Sequence, residues 1–100
     1  MELPIIWDEG RRQANISKHG FDFMDAGRLL NRSYRLDVEL KKHGQKWTRS
    51  FAYVFDVLAV LTLVHPLSER TLQVMSFRPA SEEEKEAYHY WLEHRPHDTH

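Results

Sequence analysis

Leu3, Ile5 and Trp7 alternate with Pro4, Ile6 and Asp8, and this two-residue period predicts a short opening strand. Asp8 then stands where a helix N-cap belongs, and Glu9 suits the positive end of the helix dipole. The helix is expected to run to Lys18 or His19, with Gly20 as the left-handed residue that stops it. Ala14 and Ile16 give it only a thin apolar face. Arg11, Asn15, Lys18 and His19 recur at three- and four-residue steps and so share one basic, polar flank. A second helix is expected from Asp22 to Asn31, capped by Asp22, with Phe23, Gly27 and Leu30 at helical spacing beside Met24 and Ala26.

From Tyr34 the period changes to two. Leu36, Val38 and Leu40 alternate with Arg35, Asp37, Glu39 and Lys41, the pattern of a half-buried strand with a charged outer face. Lys42-His43-Gly44-Gln45 makes a turn. Trp47 to Val64 is rich in β-branched and aromatic residues and is divided into two strands near Asp56, although no glycine follows that aspartate to make the usual hairpin turn. Pro66 ends the second of these, Leu67-Ser68-Glu69 forms a loop, and Thr71 to Phe77 is a further strand broken by Pro79. Ser81 and Glu84 spell a capping box at the head of a last helix whose Ala80, Ala87, Tyr88, Trp91 and Leu92 form one aromatic face. The order β-α-α-β-β-β-β-α predicts an α+β domain with an antiparallel meander sheet. The early helices are expected to cover one face and to leave the other face, or the rim, for a ligand. The domain is expected to span residues 1–93, with 94–100 as a mobile polar tail.

Composition narrows the chemistry. With no cysteine, disulfides, thiolate zinc sites and a cysteine nucleophile are excluded. No basic, apolar leader is evident at the start, and the longest apolar run, Phe51 to Val64, is interrupted by Asp56 and too short to span a membrane. A cytoplasmic protein without membrane contact is expected. The net charge of −1 hides an asymmetry: residues 10–50 carry ten Lys/Arg against four acids, and residues 81–100 carry two against six. A basic face able to meet phosphates is compatible with that distribution, as are ordinary solvated faces.

His89, His94, His97 and His100 crowd the end of the chain, but no pair has the spacing of a helical ligand pair with a carboxylate partner, so no metal or other cofactor is expected. The four glycines form no phosphate loop. What remains is a set of cations at element ends. Lys18 and His19 lie at a helix C-terminus, where they also serve the dipole. Arg49 opens a strand. Arg78 lies between an aromatic residue and a proline just before a helix N-terminus, where a guanidinium and backbone N–H groups can hold an anion, or where it can pair with one of Glu82 to Glu84.

These segments resemble the BrnT family, the toxin half of a bacterial type II toxin–antitoxin pair. The early family pattern W-D-x-x-K/R-x-x-x-N-x-x-K-H-G, followed by an F-x-x-A helix, is matched by Trp7-Asp8, Arg11, Asn15, Lys18-His19-Gly20 and Phe23-Met24-Asp25-Ala26. The later I-S-x-R-x-A leading into an acidic helix start is matched by Met75-Ser76-Phe77-Arg78-Pro79-Ala80 and Ser81-Glu82-Glu83-Glu84, after Arg49 and the Val57 to Val64 run. The resemblance extends from Ile5 to about Tyr90. Departures fall at Thr48, where an acid is usual, at Val64-His65-Pro66, where Thr and Arg are usual with Arg70 as a substitute, and at the hairpin Val54 to Asp56.

The resemblance implies a RelE-like fold and a metal-independent endoribonuclease that inhibits translation. In such an enzyme the ribose 2′-hydroxyl attacks the neighbouring phosphate. Lys18, Arg49 and Arg78 are the implied cationic cradle, and His19 or His65 the proton carrier. Arg11, Asn15, Arg70 and Ser76 are candidate RNA contacts, with Trp47 and Phe77 as base-stacking surfaces. The implied partners are RNA and a cognate, BrnA-like, DNA-binding antitoxin, with operator DNA reached only through the antitoxin complex; a homodimer stays open. The competing readings are a catalytically weakened or non-catalytic binding module of the same fold, and an interaction domain that dimerises through its aromatic C-terminal helix.

Overall fold

Asp8 adopts extended backbone and its carboxylate accepts the Arg11 N–H at 2.8 Å, fixing the start of helix α1 (Glu9–His19). Gly20 ends it at φ +76°, returning its N–H to the Ile16 carbonyl at 2.8 Å. The computed structural model of the chain describes residues 3–66 and 69–95. The second expected helix divides in two. Asp22 caps a 3-10 turn (Phe23–Asp25) through the Met24 N–H, and the chain then tightens into α2 (Ala26–Leu30). A 3-10 start repeats every three residues, so the buried stripe is Phe23, Ala26 and Leu29 rather than Phe23, Gly27 and Leu30.

The strands are β1 (Ile5–Ile6), β2 (Leu36–Lys42), β3 (Gln45–Val54), β4 (Val57–Pro66) and β5 (Leu72–Pro79), followed by α3 (Glu82–His94). Two-residue hairpins join β2 to β3 and β3 to β4. Their central residues have positive φ, His43 at +55° and Gly44 at +73°, then Phe55 at +53° and Asp56 at +64°. That is the mirror-image turn which suits the strand twist, formed at the second site without glycine. Strands β2 to β5 make the expected antiparallel meander. The whole sheet is mixed rather than purely antiparallel, because β1 adds in parallel beside β5 in the order β1-β5-β4-β3-β2. The Leu72 N–H donates to the Pro4 carbonyl at 2.8 Å to begin that pairing.

Alternation along β4 sorts the core into two layers. Ala59, Leu61 and Leu63 face α1 and α2 and pack with Phe21, Phe23, Leu29, Val74 and Phe77. Leu58 and Val60 face the other way and pack with Phe51, Ala80 and Tyr88 of α3, flanked by Trp91 and Leu92. Each fully buried large side chain, such as Phe23, Phe77 or Leu61, contributes about 1.5–3 kcal/mol. The sequence leaves the second face, or the rim, for a ligand. Instead α3 covers the part near the β3–β4 hairpin, and Tyr88 donates its hydroxyl to the Tyr34 carbonyl at 2.6 Å. No helix among the described residues is long and apolar enough to cross a membrane. The 94–100 tail lies largely outside the described residues, as do Leu67 and Ser68 of the expected loop.

Candidate functional site

β5 has a free upper edge, because β1 pairs only with its first residues. Asn15 of α1 fills that gap. Its amide nitrogen donates to the carbonyls of Phe77 at 2.8 Å and Phe21 at 2.9 Å, and its amide oxygen accepts the Phe77 N–H at 3.1 Å. One side chain thus stands in for a strand. Asn15 is only 7% exposed, so it is a clamp on β5 and not the RNA contact that its helical flank suggested. Phe77 is likewise no base-stacking surface: it is fully buried, with its ring stacked on Phe21 at 4.7 Å.

The clamp carries the C-terminus of α1 toward the residue after Phe77. Partial burial, and then the positive charges of Lys18 and Arg78, push the His19 imidazole below its ordinary value. His19 is therefore neutral at neutral pH and able to accept a proton. Lys18 is exposed beside it.

Arg78 leaves β5 toward the head of α3. Its Nη1 and Nη2 donate to the two carboxylate oxygens of Glu84 at 2.8 and 2.9 Å, and Nη1 also donates to the Pro79 carbonyl at 3.1 Å. Glu84 is at once the capping-box acid, accepting the Ser81 N–H at 2.8 Å while its own N–H donates to the Ser81 hydroxyl at 3.2 Å. The Arg78 guanidinium is the main cause that holds the Glu84 carboxyl at about 2, and the Ser81 N–H adds to it against partial burial. Glu84 in turn raises the pKa of Arg78. The structural pairing with an α3 acid is what forms.

Beyond α3 the same face of the sheet is uncovered. Cross-strand register sets Val38, Arg49, Thr62 and Ser76 in one row, with Leu40, Trp47, Val64 and Gln73 in the next. On the other side of the Arg49 row lie Leu36, Phe51, Val60 and Arg78. Neighbouring strands lie about 4.8 Å apart, so Arg49 and Ser76 stand about 10 Å from each other across Thr62. A bulge at Thr62/Leu63 leaves Met75 unpaired and gives this end of the sheet extra twist. An open cavity of about 580 Å³ occupies the face, with Val38, Leu40 and Trp47 as its apolar floor, and with Lys42 and Arg49 as cations and His43 around it. Arg49 is exposed and has no ion pair among the described residues.

Other candidates lie elsewhere. His65 projects from the opposite face of β4, in the row of Lys41 and Lys46, and its Nε2 meets the Glu69 carbonyl at 3.0 Å. Arg70 is exposed in the link into β5, and Arg11 is exposed in the first turn of α1, far along that helix from Lys18 and His19. Neither lines the cavity. Thr62, Lys42 and His43 were missed from sequence. The signal for Thr62 was available, since it is the one polar residue in the apolar run from Val57 to Val64. Among the described residues no group of three or more His, Asp or Glu side chains is arranged to hold a metal ion.

A family model described as ribonuclease toxin, BrnT, of type II toxin–antitoxin system matches residues 7–84. The matched span runs from Trp7, just before the cap of α1, to Glu84 and so contains Lys18, His19, Arg49 and Arg78. No curated protein matches the chain.

Proposed function

The chain belongs to the BrnT family of ribonuclease toxins of type II toxin–antitoxin systems, and from that premise we propose that it cleaves RNA on the uncovered sheet face, without a metal ion, and thereby inhibits translation in the cytoplasm. One observation carries the reading: Arg49, with no ion pair among the described residues, faces an open cavity with Thr62 and Trp47, while Arg78, two strands away in the sheet, acts electrostatically with Lys18 on His19. RNA would lay one base against Trp47 and a phosphate against Arg49. His19, neutral at working pH, takes the proton of the ribose 2′-hydroxyl as that oxygen attacks the adjacent phosphorus. The P–O5′ bond breaks, leaving a 2′,3′-cyclic phosphate, and the leaving 5′-oxygen takes a proton from the Lys18 ammonium, since the guanidinium groups of Arg49 and Arg78 do not release theirs. Arg49, Lys18 and the unoccupied edge of Arg78 stabilise the extra negative charge of the transition state. Positive charge fixed by side chains does here what a divalent ion does in metal-dependent nucleases.

Membership in this family implies an antitoxin as partner. We take it to be a small DNA-binding protein of the BrnA kind that shields the basic face and carries the toxin to operator DNA. The engagement of Arg78 by Glu84 favours a second reading, a catalytically weakened or non-catalytic nucleic-acid-binding module. One experiment separates them. Induced expression without antitoxin should arrest growth and translation, and the purified chain should cut single-stranded RNA in the presence of EDTA. Arg49→Ala should abolish both effects while leaving the thermal midpoint unchanged. RNA binding without cleavage by the wild-type chain, together with normal growth, overturns the ribonuclease reading in favour of the second.

A further inference from the structure

β2 closes the sheet at an edge. Along Leu36–Lys42 no described strand meets its outward N–H and C=O groups, and every residue after Leu36 is exposed. An unpaired edge of this length is a template for another strand. Charged side chains normally blunt such an edge, and here Asp37, Glu39 and Lys41 alternate with two apolar residues, Val38 and Leu40, that are 52% and 60% exposed. Within the chain Lys41 stands directly opposite Lys46, a like-charged cross-strand pair that is unfavourable. Glu39 relieves it only in part, reaching Lys46 at 3.6 Å.

We propose that β2 pairs antiparallel with β2 of a second copy of the chain, about a two-fold axis through Leu40, and joins the two sheets into one. In that register Leu40 meets Leu40 of the second copy. Glu39 of each chain faces Lys41 of the other, so two opposite-charge pairs form and each Lys41 gains a carboxylate that offsets Lys46. Neighbouring axes fail on charge. An axis through Val38 opposes Asp37 to Glu39, one through Glu39 opposes Glu39 to itself, and one through Lys41 opposes Lys41 to itself. A slip by one residue buries Leu40 against Glu39 and turns the two sheets opposite ways. The chosen register also sets Lys42 of the second copy opposite Val38, in line with Arg49, Thr62 and Ser76. The second copy thereby extends the basic face. That last consequence rests on the ribonuclease reading; the dimer itself does not.

Sedimentation of the purified full chain over a wide concentration range tests the pairing. The wild type should show reversible monomer–dimer exchange. Glu39→Lys alone and Lys41→Glu alone should each weaken self-association on the order of tenfold or more, because each turns both pairs repulsive. An equimolar mixture of the two variants should dimerise again, since every facing pair is then of opposite sign. Both positions are exposed, so circular dichroism should show unchanged folds, and Leu40→Asp supplies a third, charge-independent disruption. A wild type that stays monomeric, a dimer that persists in both reversals, or a mixture that stays monomeric when the single variants do overturns the proposal. RNA cleavage is not read in this experiment, so loss of the ribonuclease reading leaves its outcome unaffected.

Discussion

Asn15→Ala is the sharpest test of how this fold is held. The substitution removes three hydrogen bonds and strands their partners: the N–H and carbonyl of fully buried Phe77, and the carbonyl of buried Phe21. A buried backbone group left without a partner costs about 1–3 kcal/mol. Water entering the vacated space recovers part of that, and a loss of about 3–5 kcal/mol follows for the three groups together. Against the roughly 5–15 kcal/mol available to a whole domain, this is a severe loss. At about 4–8 °C per kcal/mol for a domain of this size, the thermal midpoint should fall by at least about 12 °C, read by circular dichroism and by denaturant titration. Asn15→Asp sharpens the argument. Its carboxylate would face two carbonyl oxygens with no proton to offer, so its folded-state pKa is raised above the unfolded one. The missing stability should therefore return in part as pH falls and the carboxyl gains a donor, while Asn15→Ala should show no such recovery. If Asn15→Ala unfolds within about 1 kcal/mol of wild type, the edge of β5 is held by something else, and Asn15 is free to serve RNA as its position in the motif suggested.

Acid should loosen the Arg78–Glu84 strut. The folded-state pKa of Glu84 lies at about 2, below its ordinary value of 4.5, so the strut's contribution is complete above the unfolded value and lost as pH falls from about 4.5 toward about 2. Glu84→Gln should remove that part of the acid sensitivity in a urea titration followed across pH; an unchanged profile would show that the pairing contributes nothing. Asp56→Gly should stabilise the β3–β4 hairpin by about 0.5–1 kcal/mol, because φ +64° strains an aspartate and not a glycine. A drop in the thermal midpoint would mean that the aspartate side chain holds the turn. His65→Ala should leave RNA cleavage intact, whereas His19→Ala should depress the alkaline-side rate and shift the pH profile; the reverse result would exchange their roles.

The elements whose signals are local were legible in the sequence. Asp8, Gly20 and the Ser81–Glu84 box act within one turn of their own position, and each cap forms as spaced. The β3–β4 division near Asp56 was also visible, although the turn itself uses Phe55 and Asp56 where glycine is usual. Asn15 and Phe77 were not legible, because their burial is decided by contact between positions 62 residues apart. A helical wheel puts Asn15 on the same flank as Arg11 and Lys18; it cannot tell which flank will meet the open edge of β5. The same limit hid the face of the site. Alternation in β4 separates Thr62 from Leu61 and Leu63, but only the registers with Trp47–Arg49 and with Ser76–Arg78 bring those side chains to one side and send His65 to the other.

The fold also sorts its cations by what they are free to do. Arg12 is engaged by Asp22 at 2.8 Å and Glu9 at 2.6 Å, Arg28 by Asp25 at 3.1 Å, and Arg35 by Asp37 at 3.1 Å and the Leu30 carbonyl. A guanidinium already gripped at two points gains little from a phosphate, since the carboxylate it would release must find water instead. By that measure Arg78, the better anion site when judged by motif alone, is first a strut that aims α3 and borders the face. Arg49 has no such partner among the described residues and lies where α3 leaves the sheet open, so a phosphate that binds there displaces only water. The proposed chemistry is therefore centred on Arg49, with Lys18 and His19 as its proposed partners from the β5 side and Arg78 held between α3 and the sheet.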